Sequence, residues 1–205
     1  MKNEAVAWID ARRNTYEEMA TYLWEHPELG LLEYESSRRL SNFLQDHHFE
    51  VQRGVAGMPT AFVASWGSGG PVIGFCAEYD ALPNLSQRAL LNRPEPVLLG
   101  APGHGCGHNL LGPSGCLAAV ATKVALEKFG CKGTVKVFGT PAEEELVGKV
   151  FMARDGLFEG TDVVISWHPF DRNEADYKSF QALTSARFHF QGRAAHTGSD
   201  PEHGR

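Results

Sequence analysis

The chain has 205 residues, 42% of them hydrophobic, with 19 basic and 25 acidic side chains and a formal net charge of −6. That hydrophobic fraction suffices for a globular core, and a mild negative charge with scattered basic residues argues against nucleic acid as a partner. The stretch from Met1 to Trp8 lacks the apolar run of a signal peptide and no later run reads as a membrane span, so a cytoplasmic setting without a membrane partner is expected.

Between Ala5 and Leu44, apolar residues at Trp8, Ile9, Tyr16, Met19, Ala20 and Leu23 follow helical spacing and predict two helices, separated at His26-Pro27-Glu28-Leu29-Gly30. His26 is expected to be structural, and Gln45-Asp46-His47-His48 a solvated helix end. Thr60 to Trp66 reads as a strand entering the Gly67-Ser68-Gly69-Gly70 turn. Val72 to Ala77 is an apolar strand, followed by Glu78-Tyr79-Asp80-Ala81-Leu82-Pro83, and a long loop rich in Pro, Asn and Leu then runs to Gly103. After Gly103-His104-Gly105-Cys106-Gly107-His108-Asn109, small and apolar residues from Gly112 to Phe129 predict a helix that packs on a sheet.

The alternating run Thr134 to Phe138 predicts a strand that stops at Gly139-Thr140-Pro141, just before Ala142-Glu143-Glu144-Glu145; a short helix follows from Gly148 to Asp155. Asp162 to Ser166 is a continuous apolar run of the kind expected for a buried parallel strand, and it delivers Trp167-His168-Pro169. Ser185 to Gln191 alternates as the first strand of a sheet with one solvated face. Without a secretory signal, Cys76, Cys116 and Cys131 are expected to be reduced core residues.

Chemistry concentrates at the strand ends. Cys106 and His108 place a thiol and an imidazole one residue apart on a glycine-rich turn, half of a tetrahedral metal shell; the alternative is a tight turn that binds nothing. In open α/β sheets ligands gather at the carboxyl ends of strands, so Asp80, Glu143, Glu144 and His168 point to the same crevice. Each has a plainer alternative, respectively a turn opener, a solvated first helical turn and a loop histidine. Their joint occurrence in a chain that alternates strand and helix is what singles them out.

Cys106-Gly107-His108, Pro141-Ala142-Glu143-Glu144 and Trp167-His168-Pro169, preceded by Glu78-Tyr79-Asp80-Ala81-Leu82, resemble the dinuclear metal-dependent amidohydrolases that include aminoacylases, auxin-conjugate hydrolases and carboxypeptidase-G-type enzymes. The motif order matches too, and the likeness runs from the N-terminal helix through Gly192-Arg193-Ala194-Ala195-His196. It implies an α/β fold: a mostly parallel sheet flanked by helices, the N-terminal part of a phosphorylase/hydrolase-like metallopeptidase domain over 1–180. The start of an α+β lid or dimerisation domain would occupy 181–205.

By the same resemblance Cys106 bridges two divalent ions, zinc or manganese, with His108, Glu144 and His168 as terminal ligands. Glu143 is the general base, Asp80 an outer partner that orients a ligand, and His196 a donor to the substrate carbonyl oxygen across a dimer interface. The implied substrate is a small N-acyl or N-aroyl amino acid, with p-aminobenzoyl-glutamate leading. A homodimer, or a heteromer with a related subunit, is the implied full-length assembly. The alternatives are another reaction of the family or an inactive fragment that binds only metal or a partner. Because relatives continue past Arg205 and supply a further His ligand there, the chain reads as C-terminally truncated.

Overall fold

The computed structural model describes residues 1–175, 182, 184, 186, 188, 189, 191–196 and 198–204. It divides into two compact units, Met1–Pro169 and Phe170–Arg205. The first holds five α-helices and five strands: α1 (Lys2–Asp10), α2 (Arg13–Glu25), α3 (Tyr34–Asp46), β1 (Glu50–Arg53), β2 (Phe62–Ser68), β3 (Val72–Ala77), α4 (His108–Lys128), β4 (Gly133–Gly139), α5 (Gly148–Arg154) and β5 (Val163–Ile165), with a 3-10 turn at Val55–Gly57.

The five strands form one mixed sheet in the order β1-β2-β4-β3-β5. β3, β4 and β5 run parallel, so their carboxyl ends share one edge, while β2 pairs antiparallel with both β4 and β1. Alternation decides which side chains face which layer. On one face Phe62, Ala64, Val135 and Val137 join Leu23, Leu40, Leu44, Cys116 and Val120 in the main core under the first four helices. On the other, Val63 and Phe138 pack with Met58, Ala61 and Met152 of α5.

α4 is apolar enough by length and composition to cross a membrane, yet 72% of that apolar window is buried inside the first unit. Its composition is that of a helix enclosed on most sides. Gly115 lets it approach the sheet: a Cβ there would lie 2.5 Å from the Cys76 carbonyl oxygen of β3. α3 starts where Glu28 accepts hydrogen bonds from the amides of Glu35 and Ser36, at 3.0 and 2.8 Å. These satisfy donors that a helix N-terminus leaves open.

Several expectations need correction. The first predicted helix is two, broken at Ala11-Arg12, where neither Pro nor Gly marks the break. β5 is not a buried strand: Val163, Val164 and Ile165 are 47%, 39% and 47% exposed, because β5 lies at the sheet margin beyond β3. All four cysteines are free, but Cys131 is exposed in the turn after α4 and only Cys116 is fully enclosed. In the second unit the strand expected over 185–191 falls partly outside the described residues; its described members, 186, 188, 189 and 191, lie in no strand. That unit contains a 3-10 turn at Pro201–His203.

The α4–β3 approach yields a stability test. Gly115→Ala is expected to lower the unfolding free energy by about 1–3 kcal/mol through overpacking, read as a lower urea midpoint at unchanged m-value; an unaltered midpoint would refute the tight contact.

Candidate metal centre

The carboxyl edge of the parallel strands gathers the chemistry. β3 runs into Glu78 and Asp80, β4 into the turn carrying Glu143 and Glu144, and β5 into His168. Opposite them, Gly107 caps α4 with φ +86°, a left-handed conformation that suits glycine, and His108 becomes the helix's first residue. Cys106 thus enters the crevice from the turn and His108 from the helix end.

His108 is the hub. Its side chain is fully buried, and Nδ1 lies 2.9 Å from both Asp80 Oδ1 and the Asp80 carbonyl oxygen. Neither acceptor can donate, so in the neutral ring Nδ1 carries the proton and Nε2 keeps the lone pair. Nε2 is buried and makes no hydrogen bond. Around it stand Glu78 Oε2 at 3.4 Å and Glu143 Oε2 at 3.6 Å. Two triads share this imidazole: Cys106, His108 and His168, and Glu78, His108 and Glu143, each with donor atoms within 4.8 Å of one another.

His168 has the same orientation. Nδ1 donates to the Pro169 carbonyl at 2.9 Å and Nε2 lies 3.0 Å from Cys106 Sγ. Its neighbour Trp167 donates Nε1–H to Ser114 Oγ on α4. Asp80, 1% exposed, spans two elements: Oδ1 accepts from His108 Nδ1–H and Oδ2 from the Glu144 amide, both at 2.9 Å. Burial opposes ionisation of Asp80, but the His108 and Glu144 donors outweigh it and hold the carboxyl below its ordinary value.

Glu144 stands in neither triad; its carboxylate contacts the Cys106 thiol, and its Oε1 is buried without a hydrogen-bond partner. Burial, followed by repulsion from Asp80 and Glu143, raises its carboxyl above the usual range. Glu145 is turned aside, its carboxylate lying against Gly30. His196 belongs to the second unit, where its Nδ1 accepts the Gly198 and Ser199 amides, both at 3.1 Å. Sequence reasoning assigned no role to Glu78 or to Lys149, whose Nζ lies 2.5 Å from Glu78 Oε1. The signal for Glu78 was its i, i+2 relation to Asp80, which in extended chain puts both on one side; Lys149 had none.

These donors suit a divalent cation. Two imidazoles, a thiol and several carboxylates converge there, and one of the imidazole nitrogens, His108 Nε2, is buried without a hydrogen-bond partner; the set serves zinc and, through its oxygens, manganese.

No family model matches the chain. It is 43% identical over 201 residues to a component chain of the p-aminobenzoyl-glutamate hydrolase of Escherichia coli, covering 96% of this chain and 41% of that protein. It is 32% identical over 216 residues to a Xaa-Arg dipeptidase of Mus musculus, covering 100% and 46%. Among solved structures it is similar to the Bacillus subtilis YXEP protein, a dinuclear metal-binding peptidase of the M20 family. That match has a TM-score of 0.61 and 26% identity, and it covers 76% of this chain and 42% of the other. The chain therefore spans less than half the length of these curated relatives.

Burial first, then the Glu144, Glu143 and Glu78 carboxylates, push the Cys106 thiol up to about 11. An ion held by Cys106 must displace that proton, so affinity is expected to rise with pH up to about 11. His108, raised above its ordinary value because Asp80, Glu78 and Glu144 outweigh its burial, adds a second competing proton at lower pH. Calorimetric zinc titration at pH 8 in buffers of different ionisation enthalpy should show about one proton released per chain from this thiol, lost in Cys106→Ala. Zinc binding with no proton release would exclude Cys106 as a ligand.

Proposed function

The chain belongs to the family of dinuclear metal-binding M20 peptidases and amidohydrolases, and from that premise we propose that it hydrolyses the amide bond of a small N-acyl or N-aroyl amino acid. The observation that carries this reading is the buried His108 Nε2, free of hydrogen bonds and ringed by Cys106, His168, Glu78 and Glu143. p-Aminobenzoyl-glutamate is the first substrate to test, since the Escherichia coli relative is named for it. A dipeptide ending in arginine is the second, supported by the dipeptidase relative.

In this reading Cys106, His108, Glu144 and His168 would hold the two ions; Glu78, beside His108 and Glu143, adds a carboxylate to the same pocket. When bound, the ions supply Lewis acidity toward water and toward the amide carbonyl. Thiolate and imidazole favour zinc, while the carboxylates also accept manganese.

Glu143, about one-third exposed at the crevice, takes the proton from the attacking water and delivers it to the departing amine nitrogen. Asp80 keeps the His108 proton on Nδ1, so that Nε2 faces the crevice. His196, with Nδ1 accepting from two backbone amides, keeps its ring proton on Nε2, and in this reading it donates across a dimer interface to the oxyanion formed at the substrate carbonyl of the partner copy. The amine leaves as the free amino acid and the acyl group as a carboxylic acid. Assembly as a homodimer or with a related subunit, and a cytoplasmic location, belong to the same reading. The Escherichia coli relative is named as one of the subunits of its enzyme, which supports a partner chain.

Purified protein reconstituted with manganese or zinc is expected to release p-aminobenzoate and glutamate. Glu143→Gln should cut kcat by about 10²-fold or more while metal content stays at the wild-type level. Unchanged hydrolysis in that variant would overturn the assigned base. Metal uptake without hydrolysis of either substrate would leave an inactive metal-binding chain as the correct description.

A further inference from the structure

Three consecutive glutamates, Glu143, Glu144 and Glu145, follow Ala142, and a slip of one position would exchange the base for a ligand. Something outside the triplet has to fix its register. The turn is stiff within itself: the Ala142 carbonyl accepts the Val147 amide at 3.1 Å and the Glu143 carbonyl accepts the Leu146 amide at 2.8 Å. Ala142 is fully buried with φ +51°, a left-handed conformation that a non-glycine residue adopts only when its surroundings hold it there.

The holder is Glu33, at the entrance to α3. Its side chain is 0% exposed; Oε1 accepts the Ala142 amide at 2.8 Å and Oε2 the Thr60 hydroxyl at 2.9 Å. Thr60 in turn accepts, through its carbonyl, the Tyr79 hydroxyl at 2.7 Å, and Tyr79 lies between Glu78 and Asp80. The preceding segment is tied to the same strand end, since the Ala81 amide donates to the Glu28 carbonyl at 2.8 Å. Resting on the metal-centre reading above, we infer that Glu33 is a positioning residue. By gripping the Ala142 amide from behind the crevice, it sets which members of the glutamate triplet face His108 and Cys106, and which one, Glu145, is turned toward Gly30.

The grip has a specific chemistry. Glutamine at this position keeps it, because its amide oxygen accepts from Ala142 and its amide nitrogen donates to the Thr60 hydroxyl, which can also accept. Aspartate, one methylene shorter, cannot span both partners. Thr60→Val removes the second contact but leaves the first.

Titration of the chain with Mn²⁺, and the visible absorption of its Co²⁺ form, separate positioning from mere support of the fold. Glu33→Gln and Thr60→Val are expected to bind Mn²⁺ as wild type does, Thr60→Val with a lower melting temperature. Glu33→Asp should weaken binding by at least about tenfold and shift the Co²⁺ bands. Wild-type affinity and spectrum in a folded Glu33→Asp, or equal weakening in Thr60→Val, would overturn the inference. If Glu33→Asp does not fold, hydrogen exchange of the wild-type Ala142 amide decides: protection without metal supports a preset turn, and protection only after Mn²⁺ addition refutes it. A wild-type chain that binds neither ion sinks the metal reading itself, an outcome visible before any variant is made.

Discussion

The site depends on one carboxylate. Asp80 has no solvent to satisfy it, so each oxygen must find a donor inside the protein, and the two donors come from different elements: the His108 ring at the start of α4 and the Glu144 amide after β4. A single side chain at the end of β3 therefore fixes the tautomer of the central imidazole and the height of the glutamate turn together. Removing it would leave a buried ring N–H and a buried amide unpaired, a larger loss than either bond alone would contribute.

Around that brace the electrostatics are unbalanced. Glu78, Asp80, Glu143 and Glu144 surround one imidazole, with Lys149 pairing a single oxygen of Glu78. Burial first, then this crowding, raises Glu144 and the Cys106 thiol, and the crowding raises His108 against its burial. A divalent cation reverses each of these tendencies at once, because it favours the thiolate, the carboxylates and the free imidazole lone pair.

Much of this was legible in the sequence, for a physical reason. Glu143, Glu144 and His168 follow runs that stop where strands reach the sheet edge, and Cys106 and His108 stand on a glycine-rich turn that opens an apolar helical run. What escaped depends on distance along the chain or on missing partners. Glu33 meets Ala142 across 109 residues, and nothing local distinguishes it from any glutamate before a helix. β1, Glu50 to Arg53, carries too little apolar pattern to announce a strand and exists because β2 offers it a ladder. The apolar run at Val163 to Ile165 correctly announced a strand and misled about burial, since periodicity reports what a segment can cover and not whether anything lies over it.

That margin strand has a thermodynamic consequence. β5 is joined to the sheet by the pairing of Ile73, Gly74 and Phe75 with Val163, Val164 and Ile165, and its outward side chains remain wet. His168 hangs three residues beyond it. Whatever grips His168 and Cys106 together also fastens β5 to β3, and whatever frays β5 loosens that grip by the same free energy. Occupancy of the crevice and closure of the sheet's shortest ladder are thus a single equilibrium seen from two ends.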